Sequence, residues 1–152
     1  MPGTNFTREL TVTADPAACF QTLTDVPRLV SWVAIVDNAV EHERLARYSA
    51  VLLDRLGPFK MRADLDIKLS EVSEPSQLRV QAAGEDRSVA SRLGVDVTLR
   101  LEEAGAGTRI LVTGSYEVVG KVATLGAGTI TKKANKILDD FFAHAAEELG
   151  GA

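Results

Sequence analysis

One cysteine, one tryptophan and two histidines are all that this 152-residue chain holds of three of its most chemically versatile side chains. Cys19 has no second cysteine to pair with, so no intramolecular disulfide forms, which fits a reducing compartment. A metal site rich in His or Cys cannot be assembled from His42, His144 and Cys19. Asp140 and His144 stand four apart on one helical face, but spacing supplies no third ligand, so a hydrogen-bonded surface pair is expected there. Cys19 reads as a small buried apolar residue. No run of 18 apolar residues occurs, which excludes a helical membrane span by length. The opening MPGTNFTREL has no apolar segment of signal-peptide type, so a cytoplasmic protein is expected. Seventeen basic residues against 21 acidic ones give a net charge of −4, without a basic block, and nucleic acid is not an expected partner.

What the chain does have is glycine, 12 in all. In TGSYEVVGKVATLGAGT (113–129) the spacing tests a phosphate site. A P-loop needs four residues between its first glycine and Gly-Lys, then Ser or Thr. Five lie between Gly114 and Gly120, and Val122 stands where the hydroxyl belongs. Gly126 and Gly128 are not followed by a parallel βαβ unit, which a dinucleotide site requires. No cofactor is expected. The small residues Gly120, Ala123, Gly126 and Ala127 are instead expected to open a helix and let its backbone approach a sheet.

Asn5 to Thr13 alternates as a half-buried strand. Asp15-Pro16 and Asp25 read as caps of two short helices, the second over Val26 to Val33. Strands follow from Val36 to Val119: Arg47–Leu56, Phe59–Val72, Gln77–Gly84, Ser88–Glu102 and Thr108–Val119. Hairpin signals separate them, so the sheet is antiparallel with about seven strands. After Gly120 the period becomes helical. Val122, Leu125, Ile130, Lys133/Ala134, Ile137, Leu138, Phe141, Ala145 and Leu149 make one stripe of a helix of about 27 residues ending at Gly150-Gly151. Length and pattern predict a single α+β domain over residues 1–152.

This order of elements is that of the helix-grip fold of START and birch-pollen-allergen-like (SRPBCC) proteins. Within it, the chain resembles the CoxG family of carbon monoxide dehydrogenase proteins. The resemblance rests on Tyr48-Ser-Ala-Val-Leu with Leu56-Gly-Pro, Leu69-Ser-Glu-Val, Gly107-Thr108 and VVGKVATLGAGTI followed by Phe141-Phe142. The proline-glycine usual after the second helix is replaced by Trp32-Val-Ala-Ile-Val-Asp. The chain also ends without the tail some members use to reach membranes, so at most peripheral membrane contact is expected. The resemblance implies a non-catalytic accessory with a hydrophobic cavity. Its implied ligand is quinone- or lipid-like and its implied partner a molybdenum-containing dehydrogenase. Periodicity shows a buried face but not a void, so the cavity is an expectation of the resemblance alone.

Centring the hairpin on Gly57-Pro58 pairs Leu52 with Ala63 and Asp54 with Met61, turning Tyr48, Leu52 and Asp54 inward with Leu65 and Ile67. A slip of one residue would turn Val51, Leu53 and Arg55 inward instead. Val95, Val97, Val112 and Tyr116 share the inner face of later strands, and Leu125 and Ile137 lie on the helix stripe. An ionised Asp54 on an apolar wall needs a partner, water or a raised pKa. Asp54 and Tyr116 are thus the candidate polar groups of the cavity. In an alternative reading they are the acid and base of a cyclase- or hydrolase-like enzyme. Trp32 and Phe59 are candidate gate residues, or Trp32 fills the core. The paired carboxylates Asp64 and Asp66 share their face with Arg62 and Lys68, a solvated charge ladder.

Overall fold

The computed structural model describes residues 4–150. Seven strands and three α-helices follow in order: β1 (Thr4–Val12), α1 (Pro16–Leu23), α2 (Val26–Ser31), β2 (Val36–Glu43), β3 (Arg47–Leu56), β4 (Phe59–Ser73), β5 (Gln77–Asp86), β6 (Ser91–Ala104), β7 (Gly107–Gly120) and α3 (Ala127–Leu149). Local signals account for both short helices. The Asp15 carboxylate accepts the Ala18 N–H at 2.8 Å with Pro16 at the first position, and Asp25 does the same for Arg28. The second helix ends at Ser31, two residues before the expected Val33. Trp32 and Val33 donate to carbonyls three residues back, a tightening that closes a helix end.

The strands form one antiparallel sheet in the order β1-β7-β6-β5-β4-β3-β2. Hairpins set the run from β2 to β7, and β1 then closes against β7. The Gly57-Pro58 hairpin holds the expected register, with Leu52 opposite Ala63 and Asp54 opposite Met61. Tyr48, Ala50, Leu52, Met61, Ala63, Leu65 and Ile67 are consequently buried, while Arg62, Asp64, Asp66 and Lys68 face water.

Two boundaries differ by three residues or more from those the pattern suggests. β6 starts at Ser91 rather than Ser88, because Arg87–Val89 form a 3-10 turn. Asp86 nucleates it, accepting from the Ser88 N–H at 2.9 Å and its hydroxyl at 2.6 Å. The last helix has 23 residues and starts at Ala127, not near Gly120. Lys121–Leu125 form a separate 3-10 segment bounded by Gly120 (φ +99°) and Gly126 (φ +96°). Both glycines therefore lie outside the helix. They supply left-handed backbone that an L side chain rarely adopts. Gly120 also lies on the Ala90 carbonyl with no room for a β-carbon, whereas a β-carbon on Gly126 would meet open space. Close approach thus explains the first glycine, and conformation alone the second.

The far end of α3 is clamped. Thr13 N–H donates to the Gly150 carbonyl at 2.9 Å and Ala14 N–H to that of Leu149 at 3.1 Å. Gly151, the second residue of the expected helix stop, lies outside the described residues. Beneath the clamp sits the packed core: Phe20, Leu23, Trp32, Leu99, Ile110, Ala145 and Leu149 are all buried. A fully buried side chain of this size contributes about 1.5–3 kcal/mol. Toward its N-terminus, the same stripe of α3 is only half-buried at Ile130, Lys133, Ala134, Ile137 and Leu138.

Candidate functional site

That half-buried stripe faces a cavity of about 330 Å³ between α3 and the inner face of the sheet. Its walls are almost wholly apolar. Strand alternation supplies the floor. Leu65, Ala82, Leu93, Val95, Val97 and Val118 point inward from β4, β5, β6 and β7, and small residues at intervals leave the depth. Ala82 stands between Ile67 and Val95 in one cross-strand row. In the next, Gly114 leaves space for the Phe6 ring, whose Cζ would lie 2.8 Å from a β-carbon there. Val33 and Ile35 from the α2–β2 connection, Val36 from the start of β2 and Leu56 from the end of β3 complete one side.

Charge reaches the inner wall through one ion pair, while Glu117 borders the cavity from the β7 position between the inward Tyr116 and Val118. Lys133 Nζ of α3 donates to Asp54 Oδ1 of β3 at 3.0 Å, and the same oxygen accepts the Arg55 N–H at 2.8 Å. The Asp54 side chain is 10% exposed and that of Lys133 35%. Of the three outcomes open to an inward carboxylate, pairing is the one observed. Tyr116 also lines the cavity. Its hydroxyl lies 3.5 Å from Thr131 Oγ1 and its ring 6.3 Å from that of Phe6.

Seven of the thirteen sequence candidates line this cavity: Leu52, Asp54, Leu65, Val95, Val97, Tyr116 and Ile137. The other six lie elsewhere. Trp32 is 4% exposed and packs edge-on against Phe141 at 5.3 Å and parallel to His144, under the clamped half of α3. It fills the core there, away from the cavity lining. Tyr48 is buried in the core, its hydroxyl accepting the Leu45 N–H at 2.8 Å. Ile67 and Val112 belong to the packed end of the inner face, and Phe59 packs against the core beside the hairpin. Leu125 covers the hairpin tip, where a β-carbon on Gly57 would lie 2.9 Å from its Cδ2. Its segment is separated from α3 by Gly126, so the stripe that carried it as a lining residue is broken.

Sequence reasoning missed Phe6, Met61, Ile130, Lys133 and Leu138 as lining residues. Lys133 carried a usable signal, being the one cation on the apolar stripe. Asp140 takes Lys136 at 3.2 Å instead of the expected His144, whose ring lies on Trp32.

Three groups whose ionisation the fold shifts serve the scaffold and do not line the cavity. Hydrogen bonds from the Ser88 side chain and then the Arg62 backbone N–H hold Asp86 below the usual carboxylate range. The Arg79 guanidinium, donating through two nitrogens, does the same for Asp96. Burial pushes the Cys19 thiol up. Among the described residues no cluster of three or more His, Cys, Asp or Glu could hold a metal ion. Among them too, no helix is long and apolar enough to cross a membrane.

A long helix gripped by a curved seven-stranded antiparallel sheet, with two short helices after the first strand, defines the helix-grip class. Solved structures share it. A conserved protein from Geobacillus kaustophilus matches at TM-score 0.79 and 21% identity, over 95% of this chain and 93% of that one. The Aha1 protein of Colwellia psychrerythraea matches at 0.63 and 16%, over 97% and 96%. Ara h 8.0201 matches at 0.57 and 16%, over 95% and 98%. Likenesses at these identities speak for the fold alone. The family model for CoxG, a carbon monoxide dehydrogenase subunit, matches residues 9–150, and the chain belongs to that family. No curated protein matches the sequence significantly.

Proposed function

We propose that the chain is a non-catalytic accessory protein that holds a hydrophobic small molecule, quinone- or lipid-like, between α3 and the sheet. One observation carries this reading: the apolar stripe of α3 is buried against side chains at one end and faces an apolar void at the other. Protein interiors are normally close-packed, so an unfilled apolar space of this size is a place for something else. At about 330 Å³ it lies near the lower end of the range for small-molecule sites, about 300–1,000 Å³. A ring system or a single short chain fits such a volume; a diacyl lipid would have to leave most of itself outside. Binding would draw on apolar burial, at about 25 cal/mol per Å² removed from water. The family name supports a carbon monoxide dehydrogenase as the enzyme served, which the resemblance implies to be a molybdenum-containing one.

The test is mass spectrometry of organic extracts from protein purified without detergent. A stoichiometric lipophile that disappears when Ala134 is enlarged to Phe is the expected result. Extracts free of any such compound, together with no uptake of added short-chain quinone, would overturn the reading.

A further inference from the structure

The polar contacts of Asp54 are lopsided. Both hydrogen bonds it accepts, from Lys133 Nζ and from the Arg55 N–H, fall on Oδ1. Among the described residues Oδ2 accepts none, although nine-tenths of the side chain is buried and the residue lines the cavity. Lys133 Nζ has three N–H donors, and Asp54 takes one. Beside the apolar wall the pair therefore keeps an acceptor and donors that no group among the described residues takes, and its charges sum to zero. Tyr116 on the same wall adds an uncharged hydroxyl.

Building on the cavity reading above, we infer that the Asp54–Lys133 pair selects the head group of the ligand: an uncharged carbonyl or hydroxyl, in preference to a carboxylate or an amine. A carbonyl oxygen accepts from Lys133, and a hydroxyl donates to Asp54 Oδ2. A carboxylate would gain the ammonium but face the Asp54 charge about as closely, and an amine meets the converse. In either case a third charge enters beside a neutral pair, and desolvating it is costly. Glu117 also borders the cavity, but alternation along β7 between the inward Tyr116 and Val118 turns its side chain to the opposite face of the sheet, where it does not balance that charge. The neutral head group makes its hydrogen bonds without that cost.

The experiment compares four ten-carbon probes, 2-decanone, 1-decanol, decanoate and decylamine, by calorimetric or ligand-observed NMR titration at pH 7. Wild type is expected to bind the ketone and the alcohol at least about tenfold more tightly than either ion, the scale of one charged hydrogen bond. Removing one charge should move the preference predictably. Asp54→Asn gains decanoate, Lys133→Met gains decylamine, and the double variant, which leaves no lone charge, gains neither. Lys133 is 35% exposed and reaches water when Asp54 is neutralised, so the first variant folds; the double variant carries the comparison if Lys133→Met does not. Equal binding of all four probes by wild type would overturn the selection and leave the cavity reading standing. An unchanged preference in Asp54→Asn and in the double variant would also overturn it. No binding of any probe would remove both.

Discussion

Gly150 caps α3 in the left-handed conformation, at φ +75°, with its α-carbon turned onto the Thr13 side chain so that no β-carbon fits between them. This contact joins the last turn of the chain to the end of its first strand. It fixes the clamped end of the helix. Gly150→Ala is expected to lose about 1–2 kcal/mol from backbone strain alone, with more from displacing Thr13. Chemical denaturation would show the lower midpoint. An unchanged midpoint would mean that the clamp does not set the stability of α3.

Thr108 supports the same corner from the sheet. Its hydroxyl, fully buried, donates to the Ala14 carbonyl at 2.7 Å. Thr108→Val keeps the shape and removes the donor, leaving the half-buried Ala14 carbonyl with only the weak Cys19 thiol donor at 3.6 Å. A loss of about 1–3 kcal/mol is expected in urea unfolding, with the fold retained by circular dichroism.

Asp86 makes the stability depend on acid. Its folded-state pKa lies below the value of about 3.9 of a free aspartate, so the unfolded state binds the proton more readily. The Asp86 contribution is present above that unfolded value and is lost as pH falls through the lower, folded one. Urea midpoints of wild type and Asp86→Asn should differ most near neutrality and draw together below about pH 4. A gap that stays constant down to pH 2 would show that the shift is absent.

Filling the cavity separates binding from folding. Ala134 on α3 lines the void, so Ala134→Phe places its ring where a ligand would lie. Uptake of a short-chain quinone should fall at least about tenfold, while stability stays within about 1 kcal/mol of wild type or rises. A loss of several kcal/mol would show that the space is smaller than the walls suggest.

Much of the architecture is local and was legible. Asp15-Pro16 and Asp25 cap α1 and α2 through bonds to residues three positions on. Alternation along Met61 to Leu69 gave the buried face of β4, and the Gly57-Pro58 turn fixed the register that turns Asp54 inward. The helix boundary was less legible. A continuous apolar stripe from Val122 hid the break at Gly126, because periodicity registers side chains and not the sign of φ.

The run of hairpins, the amphipathic last helix and the inward aspartate were thus determined by the sequence itself, since each depends on neighbours a few residues apart or on one hairpin, whereas the place of β1 against β7 was not. Tertiary structure alone decided that Lys133 meets Asp54 across 79 residues, that Trp32 lies under the clamped half of α3, and that room remains under the other half. A void is the difference between where a helix is held and how far the side chains beneath it reach. That difference depends on contacts distant in the chain, and no local pattern records it.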